Sequence, residues 1–208
     1  MNRVLFLGEG SSDQGIKVHV QRIADSCGIG VEITAPDAEM LPIRDKTVFG
    51  KLRAVQKMGG RYDVVLIHRD ADRDGRERRL AEIREAVYRV MPKVLHAAII
   101  PIRMTEAWLI LDEQLIRDVA GNPNGRVPLD LPSVRQAEKI ADPKALLKDL
   151  LVTASELTGR KRSSFQSRFS HHRRQVLERL DPHGPVRHLK SWCDFHDDVR
   201  QVFEALMA

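Results

Sequence analysis

Cysteine is nearly absent from this chain of 208 residues, with only Cys27 and Cys193 present. The two stand far apart and in no metal-ligand spacing, which excludes a disulfide framework or a zinc scaffold and fits a reducing compartment. Aromatic residues are scarce at 5%, with two tyrosines and two tryptophans. No apolar run approaches the roughly 18 residues that a membrane-spanning helix requires. The opening MNRVLFLGEGSSD breaks its short apolar stretch at Glu9, too soon for a secretory signal. These absences lead us to expect a soluble cytoplasmic protein with no membrane attachment. Hydrophobic residues at 42% and charged residues at 30% are sufficient for a globular core and argue against wholesale disorder.

An acidic excess is also lacking. The formal net charge is +5, and the surplus is unevenly placed. Residues 1–120 hold 19 Lys/Arg against 18 Asp/Glu, whereas residues 157–193 hold nine against two. A concentrated basic stretch in an otherwise balanced chain fits an anionic partner, nucleic acid being the commonest. The plainer alternative is a solvated basic helix face.

The first 112 residues alternate between short apolar runs and helical spacing. RVLFL (3–7), GVEIT (30–34), DVVLIH (63–68) and HAAIIPI (96–102) read as strands. Between them, Ile16, Val20 and Ile23 share a helical face, as do Phe49, Leu52, Val55 and Met58, and then Leu80, Ile83, Val87 and Val90. Ser11 with Gln14 fits a capping box, so the first helix is expected to start near Ser11 or Ser12. MTEAWLILDEQLI reads as a further helix. This alternation predicts a Rossmann-like α/β core, a parallel sheet flanked by helices, over residues 1–120. From Gly121 the chain turns into a loop rich in Gly, Asn and Pro. Asp142-Pro143 then marks a helix start, and residues 121–208 are expected to form a mainly helical extension packed on the core.

Right-handed crossovers put the carboxyl ends of parallel strands on one edge, where open α/β sheets place their sites. Three acidic sites fall there: Glu9 after the first strand, Asp70, Asp72 and Asp74 after the third, and Glu106 after the fourth. Gathered carboxylates repel, and a hard divalent cation such as Mg²⁺ or Mn²⁺ relieves that repulsion. Asp70 and Asp72 share a side if the segment is extended. Taken singly, each acid has an ordinary role at a helix start or turn. The string DADRDG also opens like a calcium-binding EF-hand loop. Ala81 at the twelfth place and a strand before the loop exclude that.

GEGSSD after a first strand, with a later apolar strand leading into DADRDG, resembles the Toprim domain of topoisomerases, bacterial primases and small nucleases. The whole chain looks most similar to an uncharacterised Toprim-related family of small bacterial proteins, whose members carry a segment like Glu106-Ala107-Trp108. The resemblance covers roughly residues 1–112. It implies Glu9 as general acid/base and Asp70 and Asp72 as catalytic metal ligands, with Asp74 as a third and Mg²⁺ or Mn²⁺ as cofactor; the acidic edge read from the residues adds Glu9 and Glu106 to the candidate metal ligands. The implied activity is a metal-dependent phosphodiesterase, a nuclease acting on DNA or RNA, in bacterial defence or repair. An alternative of a different class is a non-catalytic nucleic-acid-binding or partner-docking subunit. An aspartyl-phosphate mechanism at Asp70 is disfavoured, because such motifs usually follow the first strand.

The run RKRSSFQSRFSHHRR (160–174) carries six basic residues and no acid. Arg160, Lys161, Arg162, Arg168, Arg173 and Arg174 are therefore candidate phosphate contacts. Phe165 and Phe169 either stack on bases or, the favoured reading, belong to the core face of a helix. His171 and His172 read as surface residues, and Trp108 and Trp192 as packing residues.

Overall fold

A computed structural model describes residues 1–37, 41 and 45–207. Its core is a sheet of four strands, β1 (Asn2–Leu7), β2 (Val31–Thr34), β3 (Val64–His68) and β4 (Leu95–Ile99). All pairings are parallel and the order is β2-β1-β3-β4. The register sets Leu5 beside Val65 and Leu7 beside Ile67. Every residue of β3 is buried, as its uninterrupted apolar sequence requires of a central strand covered on both faces.

Between the strands run α1 (Ile16–Ser26), α2 (Val48–Lys57) and α3 (Arg76–Val90). Leu5, Leu7, Val65, Ile67 and Ala98, alternate residues on one sheet face, form a single core cluster with Leu52, Val55, Ile83 and Val87 of α2 and α3. The buried residues of α1, Ile16, Val20 and Ile23, stand outside that cluster. Right-handed crossovers place α1 on the opposite face. The Rossmann-like α/β architecture read from the sequence is thus present.

Beyond β4 the predicted helix over MTEAWLILDEQLI is interrupted. Thr105–Trp108 forms a single 3₁₀ turn, and α4 (Glu113–Val119) starts afresh where the Asp112 carboxylate accepts the Leu115 N–H at 3.0 Å. The remaining helices are α5 (Val134–Ala137), α6 (Pro143–Ser155), α7 (Gly159–Gln166), α8 (Phe169–Arg179) and α9 (Lys190–Ala205). Asp142 caps α6 as expected, accepting the Ala145 N–H at 2.8 Å with Pro143 at the first helical position.

Two compact units result. The first comprises Met1–Ile100 together with the chain from Asp194 on, and the second comprises Pro101–Cys193. The sequence-based boundary near Gly121 falls inside the second unit. There Trp108 and Trp192 meet edge to face at 5.0 Å, and both are buried, as read. The Trp108 Nε1–H donates to Ser191 Oγ at 2.8 Å, and the Ser191 hydroxyl donates to Glu138 Oε1 at 2.6 Å. Among the described residues no helix is long and apolar enough to cross a membrane.

Gly75, at the start of α3, has φ 80° and ψ 163°, a region essentially restricted to glycine. Nothing lies within 4 Å of where its Cβ would stand, so replacement strains the backbone alone. Gly75→Ala is expected to destabilise the fold by about 1–3 kcal/mol, read as a lowered urea midpoint with unchanged slope.

Candidate active site

The order of the sheet reverses between β1 and β3. The chain leaves β1 toward β2, then returns on the other side of β1 as β3. The crevice at the carboxyl ends of those two strands is the customary ligand position of an open parallel sheet. Glu9 follows one strand and Asp70 the other.

The first turn is built tightly. After β1 the chain enters a 3₁₀ turn, Ser11–Gly15, rather than passing directly into an α-helix. The predicted Ser11 cap is replaced by Asp13, whose Oδ2 accepts the N–H groups of Glu9 at 3.1 Å and Gly10 at 2.9 Å. Asp13 is itself buried. A Cβ at Gly8 would come within 3.1 Å of the Asp13 Cβ, so a larger residue there would push the Asp13 side chain aside by a few tenths of an ångström. From α2, the buried Lys51 donates through Nζ to the carbonyls of Gly8 at 2.9 Å and Glu9 at 3.3 Å. Burial pushes the Lys51 amine below its ordinary range, against the raising influence of Glu9.

The second turn follows β3. Asp72 has φ 49°, and the turn closes with the Asp74 and Gly75 N–H groups on the Ala71 carbonyl at 3.1 and 3.0 Å. The expectation that Asp70 and Asp72 alternate on an extended segment therefore fails. The chain curls instead, and Asp72 and Asp74 both turn to Arg79 of α3, at 3.4 and 3.0 Å.

His68 joins the two turns. The ring is buried, with Nδ1 at 3.4 Å from Asp13 Oδ2 and Nε2 at 3.4 Å from Asp70 Oδ1. Burial opposes its charge, but Asp13 and Asp70 outweigh that and raise its pKa to about 10, so it is an imidazolium at neutral pH. Glu9 Oε1 meets Arg69 Nη1 at 2.8 Å. Burial pushes the Glu9 carboxyl above the usual range. His68 and Arg69 draw it down, while the charges of Asp70 and Asp13 push it further up.

Glu9, Asp70, Asp72 and Asp74 thus all lie at the carboxyl edge of the first unit. Glu106 and Arg173 do something else. They are a buried pair of the second unit, with Arg173 Nε donating to Glu106 Oε1 at 2.8 Å. Their charges are committed to each other, which removes Glu106 from the candidate metal ligands and Arg173 from the candidate phosphate contacts. Of the other basic residues, Arg160, Lys161, Arg162 and Arg168 are exposed, and Arg174 is exposed beside Glu178 at 2.7 Å. Phe165 is buried and stacks on His172 at 4.1 Å, the core reading rather than a base-stacking one. His172 is buried too, contrary to its reading as a surface residue.

Sequence reasoning missed His68, Arg69, Lys51 and Arg79. A signal existed for two of them. His68 ends an otherwise apolar strand, and Lys51 sits on the stripe defined by Val48 and Val55. Comparison of the chain with protein-family models, curated proteins and solved structures found no match in any of the three.

Carboxylate oxygens are the donors that a hard divalent cation takes, and the edge offers those of Glu9, Asp70, Asp72 and Asp74, each already facing His68, Arg69 or Arg79 of the same chain. Among the described residues no group of three or more potential ligands stands ready as a cage. Mg²⁺ seldom uses one, being held by one or two carboxylates together with substrate phosphates.

Two outcomes are expected. His68 is charged more readily in the folded chain than at its ordinary 6.5, so its contribution to stability is complete below pH 6.5 and is lost as pH rises through about 10. Denaturant titrations should show that decline for the wild type and a flatter profile for His68→Gln. Glu106→Ala should cost about 3–5 kcal/mol by stranding the Arg173 charge, and pairing Glu106→Leu with Arg173→Met should recover much of the loss in thermal melts.

Proposed function

We propose that this chain is a Toprim-like phosphodiesterase acting on DNA or RNA with Mg²⁺ or Mn²⁺, its reaction centre formed by Glu9, Asp70 and Asp72. The observation that carries this reading is the placement of Glu9 and Asp70 on either side of the strand-order reversal, where the charge of Asp70 helps raise the Glu9 pKa. Asp70 and Asp72 would hold the cation, joined by Asp74, once Asp72 and Asp74 exchange Arg79 for it. A divalent cation held there supplies charge neutralisation and Lewis-acid polarisation of a phosphate.

The chain's own residues do the rest. Glu9 moves a proton at the attacking or leaving oxygen, and its raised pKa brings it nearer the operating range that suits proton transfer. Lys51 and Asp13 fix the turn that presents Glu9, one holding its carbonyls and the other its N–H groups. His68 holds Asp70 in place. The exposed residues Arg160, Lys161, Arg162, Arg168 and Arg174 supply sequence-independent phosphate contacts. A role in bacterial defence or repair is consistent with this reading and rests on the resemblance, a cytoplasmic location rests on the sparse cysteines, and a protein partner on the small size of the chain.

A second reading, a non-catalytic nucleic-acid-binding or partner-docking subunit, is favoured by one observation. The acids of the edge are already compensated by His68, Arg69 and Arg79 of the same chain.

Supercoiled plasmid, single-stranded DNA and RNA incubated with Mg²⁺ or Mn²⁺ separate the two readings. Wild-type cleavage that falls about 100-fold or more in Glu9→Gln, and similarly in Asp70→Asn and Asp72→Asn, is the expected result. Asn is chosen at position 72 because it tolerates the left-handed backbone there. Binding without cleavage, unchanged in these variants, would favour the docking subunit.

A further inference from the structure

The metal-dependent reading leaves unexplained why two arginines occupy the acidic edge. Arg69 spans Glu9 at 2.8 Å and Glu82 at 3.6 Å. Arg79 reaches Asp74 at 3.0 Å, Asp72 at 3.4 Å and Glu82 at 3.2 Å, and its Nε–H donates to the Asp70 carbonyl at 3.1 Å. Both guanidinium side chains are largely sheltered, 18% and 13% exposed, so their pairings are only partly screened by solvent. The carboxylates they neutralise include those assigned to the cation, Asp72 and Asp74, and the assigned acid/base, Glu9. A cation and these guanidiniums therefore compete for the same negative charge.

Glu82 is a carboxylate that both guanidiniums share. It lies on α3, one turn from Arg79, and meets both guanidiniums. It carries no role at the reaction centre. When a cation takes the charge of Asp72 and its neighbours, Glu82 still tethers Arg69 and Arg79 at the edge. Their positive charge is then no longer balanced, and a planar fork of this kind matches the oxygens of a phosphate group.

We infer that Arg69 and Arg79 are phosphate-binding residues held masked by the edge carboxylates and released to substrate by divalent-cation binding. The inference rests on the metal-dependent reading and adds to it an order of events. Cation and phosphodiester bind with positive coupling, and that coupling is reciprocal. It also gives the substitutions an unusual sign. Removing either guanidinium removes a competitor of the cation while removing a contact of the substrate.

The test uses the intact protein and two readouts that need no turnover. Mn²⁺ binding is monitored by the loss of the free-ion electron paramagnetic resonance signal. Binding of a fluorescent oligothymidylate is monitored by anisotropy, with Ca²⁺ present or absent. Arg69→Gln and Arg79→Gln are each expected to bind Mn²⁺ about tenfold more tightly than wild type, a change equivalent to about 1.4 kcal/mol. Both should bind the oligonucleotide several-fold more weakly in Ca²⁺, and no differently from wild type without it. Arg69→Lys keeps the charge without the fork, guards against a variant that does not fold, and should fall between wild type and Arg69→Gln on both readouts. Mn²⁺ affinity unchanged in the Gln variants, with wild type binding Mn²⁺, would overturn the masking while leaving the metal site standing. Oligonucleotide binding that is weakened equally with and without Ca²⁺ would do the same. Absence of Mn²⁺ binding by wild type would overturn the metal-dependent reading and this inference together.

Discussion

The carboxyl edge of the sheet depends on one buried charge. Without His68, Asp13 and Asp70 would be two carboxylates with no cation between them. With it, an imidazolium lies between them at 3.4 Å from each. Because Asp13 also gathers the N–H groups of Glu9 and Gly10, the ring couples the end of β1 to the end of β3 through side chains. The parallel ladder sets the distance between those strands, and His68 sets how their ends are turned. Lys51 completes the arrangement from α2 by holding the carbonyls of the same turn.

Positive charge is used differently in the two units. In the second, Arg173 and Glu106 form one sheltered pair. Such a pair adds little net stability over apolar packing but is costly to break on one side only. At the edge of the first unit, cations and acids form a connected set in which Glu82 and Arg79 each have several partners. A network of that kind can exchange partners without leaving any member isolated, which suits a surface where ligands arrive and depart.

The strands and their spacing were legible because the apolar runs of β1, β3 and β4 are short, continuous and separated by helical periodicity. The placement of Glu9 and Asp70 came from topology alone, since parallel strands bring their carboxyl ends to one edge. What the acids do there was not legible. The turn after β3 depends on a left-handed Asp72 and a glycine with positive φ, and alternation along an extended chain was the wrong template. Glu106 was misassigned because its place after β4 was visible whereas its partner, 67 residues further along, was not. Arg173 was misassigned for a related reason. A run of basic residues on a helix presents some to solvent and turns others inward, and burial decides which. His68 drew no reading of its own within the strand, although a histidine closing a fully buried apolar strand must find polar partners.

The first unit is not continuous along the chain. Phe195, Val199 and Phe203, on the part of α9 that belongs to it, are buried. The strands and their crossover helices all come from the first hundred residues, yet these three side chains are made only after the whole second unit has been synthesised. On the ribosome, the last turns of α9 emerge only after the whole second unit, so the first unit gains these buried side chains last.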